Sequence, residues 1–423
     1  MSILKLDVRM RRYSPRPTAW LLWLLAALWS GTSPAQVLTG LDVLAQQQFK
    51  PLHGKRVGLV INHTAVDRNG RSIIELLAAC PLVRVASFFT PEHGLSGRRE
   101  AGETIHSQID SSTGAPIYSL YGDINKPTME MLRGLDVLVF DIQDIGARFY
   151  TYISTLFLAM EAAAESRVDF MVLDRPNPIG GALVEGPVLK KAFTSFVGIQ
   201  PIALRHGMTI GELARLFNGQ KWLSGGLRLN LTVVPMKGWQ RDMLFAETGL
   251  PWIAPSPNIP SMHAALVYPG ICLLEATNLS EGRGTTEPFE QFGAPWLDSE
   301  ALMQSLQADS TVIRVCRADF TPVSIPGMAM NPKYLNRRCQ GVKLQVRQAH
   351  VFYSVAFGLK VLSAVRRLHP DSLQFSEGGM NRLAGDDEVL LGLRLGRSSE
   401  QILESGRGEM RKFLRMRKKY LLY

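Results

Sequence analysis

What this chain lacks narrows its chemistry first. No glycine fingerprint follows the first apolar run, where GLVINHTAVDRNG gives a pyrophosphate no close backbone approach, and no phosphate loop of the Walker type occurs anywhere. Cofactor-dependent redox chemistry and phosphoryl transfer are therefore rejected for this site, and no cofactor is expected. No serine sits on a nucleophile elbow between strand and helix, which removes serine hydrolase chemistry. Cysteine is scarce: Cys80, Cys272, Cys316 and Cys339 have no metal-type spacing, and Cys316 with Cys339 is the bridge expected if the chain is exported. After residue 35 no apolar run reaches membrane-span length. Nor is there a strong excess of one charge. The formal +10 falls to +6 without the first 35 residues, which hold five basic residues and one acidic, and this balance is too mild to argue for nucleic acid.

Those first 35 residues read as a secretory signal. Arg9, Arg11, Arg12 and Arg16 precede the short apolar run AWLLWLLAALWS, and Ser33-Pro34-Ala35 supplies a small-x-small cleavage site. The expectation is a periplasmic protein cut near Gln36, with no stable membrane span after cleavage. The basic end, RGEMRKFLRMRKKYLLY, reads as a solvated helix face, with attraction to anionic wall polymer or membrane surface as the alternative.

At 423 residues and 46% hydrophobic, the chain can bury a full core. Short apolar runs recur at 57–61, 83–89, 136–142, 169–174 and 231–236, separated by helical stretches such as SIIELLAA, TLFLAMEAAAES and TIGELARLFN. In the last of these, Thr209 and Glu212 form a capping box. Fully apolar strands alternating with helices predict an α/β fold with a doubly wound, Rossmann-like parallel sheet over residues 36–240. The proline-rich and less regular remainder, 241–423, predicts a smaller α+β domain with helices near 351–368 and 398–418.

In such a sheet, ligands bind beyond the carboxyl ends of the strands. Four runs stop there on polar groups: Asn62-His63-Thr64, Thr90-Pro91-Glu92-His93-Gly94, Asp141-Ile142-Gln143-Asp144 and Asp174-Arg175-Pro176-Asn177. His63, His93, Asp141 and Asp174 would suit a metal if they converged, but histidines on separate strands are more often hydrogen-bonded rim residues, and no metal is expected. What remains is carboxylate chemistry. Glycoside hydrolysis needs one carboxyl group to protonate the leaving oxygen and a second group to meet the sugar cation. Glu92, held by Pro91 at a strand end, is the candidate acid. The block ATNLSEGRGTTEPFEQFGAPW adds Glu281, Arg283, Glu287 and Glu290 beside aromatic rings, with Gly282 and Gly284 free to let backbone approach a ligand.

The stretches GLVINHTAVDRNGRS, FFTPEHGLSG, GLDVLVFDIQDIGARFYTYIST, VLDRPNPIGGALVEGPVL, PWIAPSPNIPS and YPGICLLEATNLSEGRGTTEPFEQFGAPW resemble the exo-β-N-acetylmuramidase family of peptidoglycan turnover, in the family's order over nearly all of the chain after residue 35. The resemblance implies a Rossmann-like domain, a smaller carboxy-terminal domain and a cleft between them, and it places the family's catalytic glutamate on Glu92. The substrates it implies are muramyl saccharides of peptidoglycan, cut at the non-reducing end. Asp141, Glu281, Glu287 or the sugar's own acetamido group would then meet the cation. Asn62, His63, His93, Tyr150 and Asn177 would bind the sugar. Arg148, Arg175 or Arg283, with Arg283 preferred, would read the lactyl carboxylate. A wall-binding or sensor protein using the same cleft without turnover is the competing reading.

Overall fold

The apolar runs form the strands the periodicity predicts. In the computed structural model, β1 (Arg56–Ile61), β2 (Arg84–Thr90), β3 (Gln108–Ile109), β4 (Pro116–Ser119), β5 (Val137–Asp141), β6 (Asp169–Leu173) and, after the hairpin of β7 (Glu185–Val188) and β8 (Ala203–Arg205), β9 (Leu231–Val234) are laid out in chain order. Seven of them make one sheet in the order β3-β4-β2-β1-β5-β6-β9, parallel throughout except for the short β3 edge. The structure describes residues 36–92, 94–96, 108–111, 113–306 and 311–423, so the signal segment and His93 lie outside the described residues. Val37–Tyr423 form one compact unit.

Alternation explains why the interiors of these strands are apolar on both faces. Val57, Leu59 and Ile61 of β1 join one core with Val137, Val139, Met171 and Leu173, whereas Val60 joins the other with Leu138, Phe140, Phe170 and Val172. Both faces are thus covered. On the first face lie α1 (Gly40–Gln46) and α2 (Ile73–Ala78); on the second lie α3 (Tyr152–Ser166) and α4 (Ile210–Gly219). The Thr209–Glu212 capping box starts α4 as expected.

The second face continues into a smaller lobe without a break in the core. Here α5 (Met262–Ile271), β10 (Gln291–Ala294), α6 (Ser299–Ser305), β11 (Ile313–Phe320), β12 (Cys339–Val346), α7 (Ser354–Leu368), α8 (Glu377–Ala384), α9 (Glu388–Arg394), α10 (Ser399–Ser405) and α11 (Arg407–Arg417) surround a three-stranded antiparallel sheet of order β10-β12-β11. Helices α5 and α7 cross at Gly270 and Gly358, where a Cβ on Gly270 would lie 1.9 Å from the Ser354 carbonyl oxygen. Only glycine permits that approach. The helix expected over 398–418 divides at Gly406, and α11 buries Phe413 and Arg417 while most of its other residues face water.

The expected Cys316–Cys339 bridge is not formed, and both thiols are free. Register explains this. Cys316 of β11 pairs with Lys343 and Cys339 of β12 with Phe320, a four-residue offset. At about 3.4 Å per residue the two positions stand roughly 14 Å apart, twice the reach of a disulfide.

Candidate active site

Strand β2 runs buried through Phe88, Phe89 and Thr90, and the chain then turns at Pro91 and Glu92 with the Gly94 amide donating to the Pro91 carbonyl. Pro91 is buried and Glu92 half-buried, so the carboxyl is presented at the sheet's rim, where the Thr151 hydroxyl donates to its Oε2 at 3.2 Å. Thr151 stands just before α3, which follows the rim loop after β5. Glu92 therefore takes its place from the ends of β2 and β5, which flank β1 in the sheet.

Beside it opens a cleft of about 260 Å³ walled by Tyr121, Phe149, Tyr150, Phe196 and Tyr268, with Glu92, Glu275 and Arg283 as its charged groups. The rings are braced edge to face: Tyr150 on Tyr268 at 6.0 Å, Phe149 on Tyr268 at 5.3 Å and Tyr268 on Phe289 at 4.7 Å. Burial, then Tyr152 and Tyr268, then the Glu92 charge push the Tyr150 phenol well above its ordinary value. Tyr152 and Tyr268 are raised as well, chiefly by burial. All three hydroxyls thus keep their protons at neutral pH. Apolar ring faces with a few fixed hydroxyls suit a sugar, which has CH-rich faces and a polar rim.

The smaller lobe supplies further residues of the lining. Arg283 donates to Glu275 Oε1 through Nε at 3.1 Å and Nη2 at 2.7 Å, stands 3.5 Å from Glu281 and lies 5.1 Å over the Phe289 ring. Burial alone would lower its guanidinium, but the Glu275 and Glu281 charges reverse this and hold it above its ordinary value. Lys333 completes the array, bonding Glu281 at 3.1 Å and the carbonyls of Leu274, Glu275 and Leu279. The turn that carries Glu275 is fixed from beneath by that one ammonium. Gly282 and Gly284 do have left-handed φ of 82° and 77°, yet a Cβ on either would strike this chain's own Gln291 or Val323 carbonyl. Their freedom serves the fold of the loop, which differs from the ligand approach expected of them.

Of the residues singled out in the sequence, Glu92, Tyr150 and Arg283 share this cleft. Asn62 and His63 stand behind it. Asn62 donates to the Tyr152 hydroxyl at 3.1 Å, Tyr152 donates to the Pro255 carbonyl at 2.6 Å, and His63 Nε2 meets the Ala254 carbonyl at 2.7 Å, so the pair anchors the segment that brings Ser256 to the wall. The others are engaged elsewhere. Asp141 is fully buried and bonded to Arg175, whose Nη2 reaches its Oδ2 at 2.9 Å and the Val66 carbonyl at 3.0 Å. Burial lifts the Asp141 carboxyl above the usual range although Arg175 pulls it down. Asn177 donates to the Met208 carbonyl, and Glu287 pairs with Lys343. The buried Arg148 guanidinium, drawn down to about 10 by burial, bonds four carbonyls, those of Pro187, Ile202, Leu383 and Ala384. It ties the β7–β8 hairpin to the smaller lobe. Glu275, Tyr268, Tyr121, Phe196 and Lys333 were not foreseen as site residues. Glu275 lies in a short helical turn, CLLEA, where an acidic residue looks like an ordinary surface position.

Two family models match successive parts of the chain. Residues 57–263 match the family described as exo-beta-N-acetylmuramidase NamZ, N-terminal, and residues 266–423 its C-terminal counterpart. The chain is 45% identical over 392 residues to the peptidoglycan beta-N-acetylmuramidase NamZ of Bacillus subtilis, covering 92% of each. Two crystal structures of DUF1343 family proteins from Bacteroides fragilis superpose with TM-scores of 0.84 and 0.74 at 38% and 35% identity, each over 92% of this chain and 99% of the other.

Proposed function

This chain belongs to the exo-beta-N-acetylmuramidase NamZ family, and on that premise we propose that its cleft removes N-acetylmuramic acid from the non-reducing ends of peptidoglycan fragments with Glu92 as general acid. The observation that carries the assignment is the half-buried Glu92 carboxyl at the edge of an aromatic-walled cleft, oriented by Thr151. Glu92 hands its proton to the glycosidic oxygen as the bond from that oxygen to the anomeric carbon breaks and the electron pair leaves with the oxygen. Water then adds to the anomeric carbon and returns a proton to the Glu92 carboxylate. The aromatic rings cover the sugar's apolar faces. The arginine-rich start, short apolar core and small-x-small site of residues 1–35 support export to the periplasm, where such fragments arise.

A chromogenic β-glycoside of N-acetylmuramic acid tests the reading. Wild-type protein releases the chromophore, and Glu92→Gln lowers turnover roughly 100-fold or more with folding intact. Tight binding without release would favour the wall-binding or sensor reading instead.

A further inference from the structure

The reaction leaves positive charge on the anomeric carbon, and none of Asp141, Glu281 and Glu287 stands among the residues that line the cleft. Asp141 is fully buried against Arg175, Glu281 is buried between Lys333 and Arg283, and Glu287 pairs with Lys343. Resting on the Glu92 reading above, we propose that Glu275 is the second catalytic carboxylate, facing the anomeric cation across the cleft from Glu92, and that Arg283 and Lys333 position it.

Three observations converge on Glu275. First, among the described residues it is the carboxylate besides Glu92 that lines the cleft, and it comes from the opposite lobe. The charges of the two act on different members of one ring cluster: Glu92 on Tyr150 and Tyr152, Glu275 on Tyr268. Since Tyr150 and Tyr268 are in edge-to-face contact, the carboxylates flank a shared aromatic floor. Second, its support is uneven. Both hydrogen bonds from Arg283 end on Oε1, and the side chain remains 30% exposed. A carboxylate held by one oxygen while part of it faces a cleft is oriented without being withdrawn from substrate. Third, the charges are balanced in a way that serves a fixed anion: Arg283 offsets Glu275 and Lys333 offsets Glu281, while Lys333 also fixes the backbone carbonyl of Glu275 itself.

The arrangement also decides between roles. A general base must take a proton and give it up near the working pH, whereas a stabilising group needs only to remain negative as the cation forms. A permanent guanidinium on Oε1 fits the second role. Arg283 is then committed to two carboxylates, which leaves no net positive charge there for the lactyl group of the substrate.

The test is chemical rescue. Glu275→Ala should lower kcat on the chromogenic muramic glycoside roughly 100-fold or more, the scale of a lost electrostatic stabiliser, with KM changed far less. Added formate, an anion small enough to occupy the vacated place, should restore at least about tenfold of the rate, and neutral formamide should restore none. A purely structural residue would not show this difference. Turnover within about threefold of wild type, or a loss that formate does not relieve in a variant that melts and binds free N-acetylmuramic acid like wild type, overturns the proposal. Should Glu275→Ala not fold, Glu275→Gln removes the charge without a cavity, and near-normal turnover there overturns it equally. The parent reading fails separately: if Glu92→Gln retains turnover while Glu275→Ala loses it, Glu92 is not the acid although Glu275 stands.

Discussion

At the scale of single residues, Asp174 shows how burial is used away from the cleft. Its carboxylate accepts from the Thr209 hydroxyl at 2.7 Å, the Gly211 amide at 2.8 Å and the Tyr423 hydroxyl at 2.8 Å, and still burial lifts it to about 6. A carboxyl raised in the folded state contributes stability that is fully present below its unfolded value near 4 and is lost as pH rises through 6; the loss is about 3 kcal/mol. Asp174→Asn stays neutral throughout. Denaturant unfolding should therefore show the variant gaining on wild type by roughly that amount between pH 4 and pH 7, whatever its offset at pH 4. A difference independent of pH would mean that Asp174 titrates as it does in the unfolded chain. The same residue shows what sequence can and cannot reveal. Asp174, Asp141 and Glu92 all end apolar strands and look alike in the sequence, and only tertiary contacts divide them: Arg175 covers Asp141, α4 and Tyr423 cover Asp174, and a cleft opens beside Glu92.

Elements were legible where one physical signal dominated. The five apolar runs became β1, β2, β5, β6 and β9; β1, β5 and β6 are buried on both faces over nearly their whole length and leave no polar alternation to confuse with a helix, whereas β9 is an edge strand with Thr232 exposed. By contrast β4, only half-buried over most of its length, carried too weak a pattern, and α5 was obscured by Pro269 within it. Least legible was the segment after α11. Its basic residues suggested a solvated end, yet the last residues form a strap across the first lobe. Arg215 holds the Tyr420 and Leu421 carbonyls, Leu422 donates to Glu212 at 2.8 Å, and Tyr423 lies between Asp174 and the Met236 amide. Removing Leu422 and Tyr423 takes donors from two buried carboxylates, and bonds to charged groups are each worth about 1.5–3 kcal/mol. Unfolding free energy should fall by about 3 kcal/mol or more, read from the denaturation midpoint at neutral pH. An unchanged midpoint would show the strap to be passively docked.

Across the whole molecule, the proposed catalytic groups are divided between the lobes. The sheet supplies Glu92 at a strand end, while the smaller lobe supplies Tyr268, Glu275 and Arg283, and one apolar core continuous between the lobes fixes their mutual position. Among the described residues no helix is long and apolar enough to cross a membrane. The central claim is that this cleft takes one terminal sugar at a time and that Glu92 protonates the bond it cuts. The most direct measurement is mass spectrometry of products from a defined glycan tetramer of alternating N-acetylmuramic acid and N-acetylglucosamine, offered with either sugar at the non-reducing end. Wild-type protein should release free N-acetylmuramic acid and a trimer from the muramic-ended chain and leave the glucosamine-ended chain whole, with both products absent in Glu92→Gln. Disaccharides from internal cleavage, shortening of the glucosamine-ended chain, or undiminished release by Glu92→Gln would contradict the account.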